Sequence, residues 1–441
     1  MDTDFLPYLV PGIIYLCALV FVAVRLKRVF TPFHCCLAIL TAEVALCIFP
    51  LMLEGRYSHI DAPSDTAKLI LWGSAVTLFG LSLFLRPPKR YALGDFVLTP
   101  RVPRLLIIAA LLGVIFANAV VSFKNLGSFP MFVLSQSTDS QQIGYKDVRS
   151  GPISYLSWGA GRILGTWLLL ELSVARNGLV RFFSKQAVLS TAAALGLLLN
   201  LLDGQRNPVI LMMLSGLFVL SLKGFVRPLY LVCGLAIISL LFCAVGSFRH
   251  RGEKVKKLAV TSGSDTFDEL CLRVVSYIEP NLLNLDNVVR LAPEPEFGAV
   301  FLSGFVPQWV LNPVMSVPDS AAVMLFENKA FAKGNTFRTA YGDFYMDFGA
   351  FGSVVAVALV FGIGVFLFNR ATLDPRCMLG FLILSPCIVF IPMMNFAIGI
   401  YSVMPFLLFG LVSFRKISAK MCIHTISPGQ KTASVANPDR L

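Results

Sequence analysis

Two short stretches of the chain combine permanently charged side chains with carboxylates and glycine. The first, Asp203-Gly204-Gln205-Arg206-Asn207, lies between two strongly apolar runs. The second extends from Arg338 to Gly352 and reads RTAYGDFYMDFGAFG. The arginine guanidinium is planar, always charged and able to donate two parallel hydrogen bonds, so it suits phosphate groups. Both stretches are therefore candidate binding sites for an anionic substrate.

The second stretch also has the residue types of a sugar site. A helix beginning near Tyr341 would place Asp343 and Asp347 on one face, four residues apart. Carboxylates accept hydrogen bonds from hydroxyl groups, and the rings of Tyr341 and Tyr345 could stack on the apolar faces of a sugar. Structural ion pairs also occupy such positions. The alternative is therefore that both aspartates pair with nearby arginines.

Further cations lie close to predicted membrane spans. Arg149 stands in KDVRSGP, while Arg249 and Arg251 flank His250 in GSFRHRGEK. Neighbouring positive charge favours the neutral form of His250, which could then act as a general base. The competing interpretation is that such arginines reach lipid headgroups and that a lone loop histidine is a surface residue.

Composition defines the class of protein that must position these residues. Of 441 residues, 56% are hydrophobic and 14% are charged, against about 25% charged in soluble proteins. Apolar runs long enough to span a bilayer as helices recur, and the short alternating segments of a β-barrel do not. The net charge of +12 fits basic cytoplasmic loops and does not indicate nucleic-acid binding. No Cys/His spacing or carboxylate cluster indicates a metal site. We therefore predict an all-α polytopic membrane protein.

Hydrophobicity predicts about eleven transmembrane helices. Glu43 lies in the second of them, and Arg162 and Glu171 lie in the fifth, where they could form an internal pair or line a substrate cavity. The predicted spans are 6–24, 33–53, 67–85, 104–122, 152–175, 187–203, 207–222, 228–247, 348–368, 377–395 and 397–414.

Charge in the connecting segments predicts the orientation of the spans. Breaks after odd-numbered spans are basic, with Arg25, Arg86 and Arg181 as examples, whereas the short even-numbered breaks are acidic or neutral. The positive-inside rule then places the N-terminus outside and the C-terminus in the cytoplasm. The acidic N-terminal sequence is not that of a cleavable signal peptide. The predicted organisation is transmembrane helices 1–8 in 1–247, a large outer loop in 248–347, helices 9–11 in 348–414 and a cytoplasmic tail in 415–441.

The predicted outer loop has helical patterning of its own. Residues 264–279 place apolar side chains on one face, with a candidate capping box at Thr266 and Glu269. A second amphipathic stretch covers 282–291, and the apolar, proline-broken stretch 301–313 suits a membrane interface. We expect a small helical subdomain here.

These features resemble the Wzy-type oligosaccharide repeat unit polymerases, the O-antigen polymerases. The resemblance is carried by the outer turn Gly204-Gln205-Arg206, the long late outer loop and the Arg…Tyr-x-Asp-Phe…Asp-Phe-Gly pattern beginning at Arg338. The interval from Arg338 to Gly349 also fits the family's Arg-x10-Gly spacing. The first outer loop departs from that spacing, because Ala160 stands eleven positions after Arg149.

The resemblance implies a GT-C-like, metal-independent glycosyltransferase that needs no cofactor. Its donor and acceptor would both be glycans on undecaprenyl diphosphate. A hydroxyl of one repeat unit would attack the anomeric carbon of the growing chain, and undecaprenyl diphosphate would leave. The catalytic candidates are Arg206, Arg338, Asp343, Asp347 and His250. The substrate-binding candidates are Arg149, Arg249, Arg251, Tyr341 and Tyr345.

The resemblance further implies a multi-pass protein of the bacterial inner membrane, in contact with membrane lipid, lipid-linked glycans and a possible chain-length regulator. An O-antigen ligase would share this architecture but would transfer the chain to lipid A–core, with His250 as its candidate outer-loop histidine. A lipid-linked oligosaccharide flippase is the alternative from another class. It would need polar residues deep within several spans, and predicted spans 1, 3 and 8 contain almost none.

Overall fold

The computed structural model describes residues 6–27, 29–48, 63–87, 103–130, 132, 152–175, 179–203, 207–224, 234, 278, 281–291 and 339–393. Within these ranges the regular structure is helical, and no strand occurs. The helices are α1 (Leu6–Leu26), α2 (Pro32–Ile48), α3 (Asp65–Ser82), α4 (Arg104–Leu126), α5 (Pro152–Val174), α6 (Leu179–Lys185), α7 (Ala187–Leu202), α8 (Asn207–Leu222), α9 (Asn281–Leu291), α10 (Thr339–Ala371) and α11 (Pro375–Val389).

Nine of the predicted spans overlap described helices. Most described ends differ from the predicted ones by a few residues, but α10 begins at Thr339, nine positions before the predicted start at 348. The predicted span 377–395 ends early, since α11 stops at Val389 and Phe390–Met393 form a turn. Residues 179–185 were expected to belong to a basic break, yet they form α6. The predicted spans 228–247 and 397–414, the helix 264–279 and the stretch 301–313 lie outside the described residues.

Several helices have the length and composition of membrane spans. Three of them, α1, α4 and α10, are long and apolar enough to cross a bilayer. The pair α6 and α7 is bent by 90° and would be a fourth span if counted as one. Large apolar side chains on these helices are exposed, among them Val24, Leu105 and Phe351. Such faces suit contact with lipid. The described part therefore has the properties of a helical membrane protein.

The helices form two groups that share a core. In the first group, α1, α2 and α3 pack together, and α10 and α11 close the group against α3 and α2. In the second, α4, α5 and α7 pack together, and α5 contacts both α8 and α11. Aromatic rings from α2, α8, α10 and α11 meet where α8 packs against the first group, including Phe33, Phe218 and Phe381. These contacts fix the helix ends that carry the polar side chains described below.

Hydrogen bonds tie together the helix ends at the predicted cytoplasmic side, here called the basic end. Arg25 Nε donates to the Leu85 carbonyl at 3.3 Å, and Asn369 Nδ2 donates to the Phe84 carbonyl at 2.9 Å. The backbone N–H of Phe30 donates to Ser221 Oγ at 2.7 Å. The opposite end of the bundle, where α1, α3 and α10 begin, is here called the loop end. Thus α1, α3 and α10 run in one direction and α2 runs in the opposite direction.

The charged residues Arg162 and Glu171 of α5 do not pair with each other. Arg162 Nη2 donates to the Ile383 carbonyl at 2.8 Å. Glu171 Oε1 instead lies 3.6 Å from Arg104 Nη1 and accepts a hydrogen bond from Trp167 Nε1 at 3.3 Å. The reason is helical geometry: nine residues at 3.6 per turn place the two side chains on opposite sides of α5. The possibility of an internal pair is therefore wrong.

Candidate functional site

The structure describes four of the ten predicted site residues. Tyr341, Asp343, Tyr345 and Asp347 all lie near the start of α10. Those outside the described residues are Arg149, Arg206, Arg249, His250, Arg251 and Arg338.

The start of α10 is a separate short helix that turns sharply into the long span. The helix is broken at Gly349, whose φ of 68° and ψ of −172° lie in a region open essentially to glycine alone. We call residues Thr339–Phe348 the kinked segment. Ser353 Oγ, beyond the break, donates to the Tyr341 carbonyl at 2.7 Å. The kinked segment therefore folds back against the first turn of the span.

The beginning of the kinked segment is fixed by contacts with distant backbone. The N–H of Thr339 donates to the Met393 carbonyl at 3.1 Å, and that of Ala340 donates to the Ile391 carbonyl at 2.9 Å. Thr339 has a φ of 62°, which is unusual for a β-branched residue. Its hydroxyl accepts from the Gly342 N–H at 3.1 Å and so caps the short helix. The turn after α11 thus holds the residue that directly follows Arg338.

The two aspartates lie on one helix, as the sequence predicts. Asp347 is completely buried, whereas Asp343 is partly exposed. The Tyr341 ring is 1% exposed, and its hydroxyl faces Tyr15 and Ser74. Tyr345 is only partly buried. Of the two tyrosines predicted to stack on a sugar, Tyr345 is thus the more accessible, whereas Tyr341 packs in the core.

Asp203, at the start of the stretch that contains Arg206, is held by two other helices. The side chain of Asp203 is 8% exposed. Its Oδ2 accepts a hydrogen bond from Trp158 Nε1 of α5 at 3.0 Å, and its Oδ1 accepts one from Ser122 Oγ of α4 at 3.4 Å. We call Ser122, Trp158 and Asp203 the turn anchor. It fixes the last described residue before Gly204.

A ladder of polar side chains continues from the turn anchor into the bundle. Ser154 Oγ donates to Asn118 Oδ1 at 3.0 Å, and Ser157 Oγ donates to Asn200 Oδ1 at 3.3 Å. The helices approach closely here, because a Cβ on Gly161 would lie 2.2 Å from Asn200 Nδ2. Small residues permit such approach between membrane helices. Polar side chains thus link α4 to α5 and α5 to α7, although the buried Asn200 Nδ2 has no hydrogen-bond partner among the described residues.

Sequence reasoning did not single out Trp158 or Asn281 as polar partners. Trp158 was read as part of an apolar span, yet its indole N–H requires an acceptor when buried. Asn281 of α9 donates to Glu43 Oε1 of α2 at 2.7 Å. A buried carboxylate in a span signals that a partner must exist. It does not reveal which of many distant polar residues is that partner.

Comparisons with known proteins leave the class of site open. No protein-family model, curated protein or solved structure matches the chain. Within the part that the structure describes, no group of three or more His, Cys, Asp or Glu side chains is arranged to hold a metal ion. The functional interpretation therefore depends on the residues themselves.

Proposed function

We propose that the chain is a polysaccharide polymerase of the Wzy type, a metal-independent, GT-C-like glycosyltransferase. It would join undecaprenyl-diphosphate-linked repeat units at the outer face of the bacterial inner membrane. The proposal includes about eleven spans, a periplasmic N-terminus and a cytoplasmic C-terminus. It also includes a chain-length regulator as a possible partner.

One observation supports the proposal most: the residues that border both arginine stretches are held by tertiary contacts. Asp203, three positions before Arg206, is bound by Trp158. Thr339, next to Arg338, is bound by the Met393 backbone. Catalysis of charge separation needs cations that are already in position before the reaction. Fixed borders on both stretches suit that requirement.

The proposed reaction is one displacement at an anomeric carbon. The acceptor hydroxyl oxygen forms the new glycosidic bond as the bond between that carbon and the diphosphate oxygen breaks. The leaving diphosphate keeps the electron pair, and Arg206, Arg249 and Arg338 would stabilise its charge. Asp343, Asp347 or His250 would take the hydroxyl proton. Lipid-linked diphosphate lies at the membrane surface, which is where the predicted topology puts these arginines.

Buried polar residues favour a second candidate, a lipid-linked oligosaccharide flippase. Tyr15, Ser74 and Asn118 are buried well inside their helices, and Asn200 is buried in the last turn of α7, so the described bundle contains more internal polar groups than the sequence indicated. Polar groups at membrane depth often mark a substrate path. In this bundle, however, each of them forms a hydrogen bond with a polar side chain of a neighbouring helix, as Tyr15 does with Ser74 at 2.7 Å, which suits a structural role.

Deletion of the gene tests the proposal, with surface polysaccharide and lipid-linked intermediates read by gel electrophoresis. A polymerase defect leaves single repeat units on the surface and no long ladder. Long chains that stay on undecaprenyl diphosphate would identify a ligase. Units that accumulate only on the cytoplasmic side would identify a flippase.

Arg206→Ala then tests the assigned chemistry. We expect the ladder to disappear at normal protein level, since loss of one preorganised donor to a developing charge costs roughly 10²–10³ in rate. Arg181→Ala is the matched control, because Arg181 lies on α6, in a break that the sequence assigns to the cytoplasmic side. Full polymerisation by Arg206→Ala would overturn this role.

A further inference from the structure

We infer that Glu43 and Asp286 are positioning residues that latch α9 onto the bundle and thereby hold the kinked segment in place. The four residues Glu43, Ser64, Asn281 and Asp286 are called the loop latch. What the kinked segment does rests on the proposed function, whereas the latch itself is a property of the described contacts.

The inner half of the latch is the pair Glu43 and Asn281, which lies deeper in the bundle than the end of α2. Glu43 Oε1 accepts from Asn281 Nδ2 at 2.7 Å, and both residues are 0% exposed. Glu43 stands five residues before Ile48, the last residue of α2, which is about 7–8 Å along the helix axis. The first residue of α9 is therefore inserted among the helices and does not rest on their ends.

The outer half of the latch lies at the start of α3. Asp286 Oδ1 accepts from the Ser64 N–H at 2.9 Å and from Ser64 Oγ at 2.7 Å. Its Oδ2 lies 2.7 Å from Arg290 Nε. Asp286 is five residues beyond Asn281 along α9, again about 7–8 Å. α9 is thus held at two points along its axis, Asn281 and Asp286, and two fixed points define its direction.

The latch acts on the kinked segment through packing. Leu282, Leu285 and Val289 place the apolar face of α9 in the main core of the bundle. The same core contains Tyr341 and Phe344 of the kinked segment, and α9 packs directly against α10. Since the kinked segment carries Asp343 and Asp347, a displacement of α9 would remove one wall that holds these carboxylates.

Glu43 performs this role as a neutral hydrogen-bond partner. Its carboxyl group is completely buried, and Oε2 has no hydrogen-bond partner among the described residues. Among the described residues, the titratable side chains that face it are Tyr15 of α1 and Cys36 of α2, and neither of these supplies a positive charge. An ionised carboxylate in such a site costs several kcal/mol. Glutamine is neutral and of equal size, so Glu43→Gln should keep the hydrogen bond with Asn281.

Cysteine labelling tests the latch without any assay of activity. Val288 of α9 is 0% exposed, so V288C should react slowly with a membrane-impermeant maleimide added to intact protein in membranes. We expect Glu43→Ala or Asp286→Ala to raise the labelling rate of V288C at least ten-fold. Glu43→Gln should leave the rate unchanged. Asp65→Ala is the matched control, since Asp65 adjoins Ser64 but its carboxylate is 98% exposed.

Two readouts separate a released α9 from an unfolded protein. The native thiol of Cys387, buried in α11, should stay unlabelled in every variant, as judged by peptide mass spectrometry. The polysaccharide ladder should shorten in Glu43→Ala and recover in Glu43→Gln. The inference is overturned if Glu43→Ala leaves V288C protected, or if Glu43→Gln exposes V288C as much as alanine does. If deletion of the gene leaves the ladder intact, the proposed function fails, and the labelling result still decides the latch.

Discussion

The loop latch and the turn anchor both hold polar residues at the loop end of the bundle, with buried carboxylates as acceptors. They differ in how far apart in the chain the joined residues are. The latch joins residues far apart in the chain, with 238 positions between Glu43 and Asn281. The anchor joins close neighbours, with 45 positions between Trp158 and Asp203. The latch therefore depends on docking of a distant loop, whereas the anchor forms once α4, α5 and α7 have packed.

The buried carboxylates of the latch and of the anchor also differ in the partners that they have. In the latch, Asp286 has Arg290 as a cationic partner, and Glu43 has an amide. In the anchor, a tryptophan N–H and a serine hydroxyl both donate to Asp203. Hydrogen bonds to a charged acceptor are about twice as strong as neutral ones. Removal of an acceptor should be most damaging where its donors are buried away from water, as Trp158 and Ser122 are, whereas the Arg290 side chain is 43% exposed.

The largest effect is expected for Asp203→Ala in the anchor. The substitution removes the hydrogen bonds that the buried Trp158 indole N–H and the Ser122 hydroxyl donate to this carboxylate. Each buried hydrogen bond contributes about 0.5–1.5 kcal/mol, so the melting temperature of the protein in detergent should fall clearly. Asp203→Asn keeps an oxygen for Trp158 and should fall less. Equal melting temperatures for Asp203→Ala and the parent would show that the anchor does not stabilise the turn.

An intermediate effect is expected for Gly349→Ala, which strains the link between the kinked segment and the span. A Cβ at this φ and ψ costs about 1–3 kcal/mol. Gly349 joins the kinked segment to the span, and the latch supports the same segment through α9. Gly349→Ala should therefore raise the labelling rate of a cysteine at Tyr345 and shorten the ladder. Ala350→Gly is the control on the other side of the kink. An unchanged labelling rate would mean that the kink does not depend on glycine.

The smallest effect is expected for Lys68→Ala, beside the latch. Lys68 Nζ lies 2.8 Å from Asp65 Oδ1, on a largely solvated surface. Exposed ion pairs contribute little because water and salt screen them. Melting temperature and V288C labelling should both match the parent. A lower melting temperature, or faster labelling of V288C, would show that the Lys68–Asp65 ion pair contributes to the stability of the latch.

Local patterns predicted much of the described fold. The spacing of Asp343 and Asp347 predicted a shared helix face, and the amphipathic stretch 282–291 predicted a helix; α10 and α9 confirm the two helices. Both predictions depend on the 3.6-residue period of the α-helix, which can be read directly from the spacing of residue types in a sequence. The predictions for Arg149, Arg206, Arg249, His250, Arg251 and Arg338 lie outside the described residues and stay predictions.

Pairings between distant segments could not be predicted in the same way. The sequence marked Glu43 as an anomaly within a span but gave no way to choose Asn281 among many polar residues. The predicted span to residue 395 ended at Val389 because the following turn bonds to Thr339 and Ala340. That contact appears only when α10 and α11 pack side by side.

The sequence by itself determined the all-helical, membrane-compatible class of the described part and the positions of most described helices. These follow from the length and periodicity of apolar runs, which act locally. Only the tertiary structure decided which polar groups meet: Asp203 with Trp158, Glu43 with Asn281, and Arg104 with Glu171. The physical reason is that each buried polar group needs a partner, and packing of the helices determines which partner is within reach.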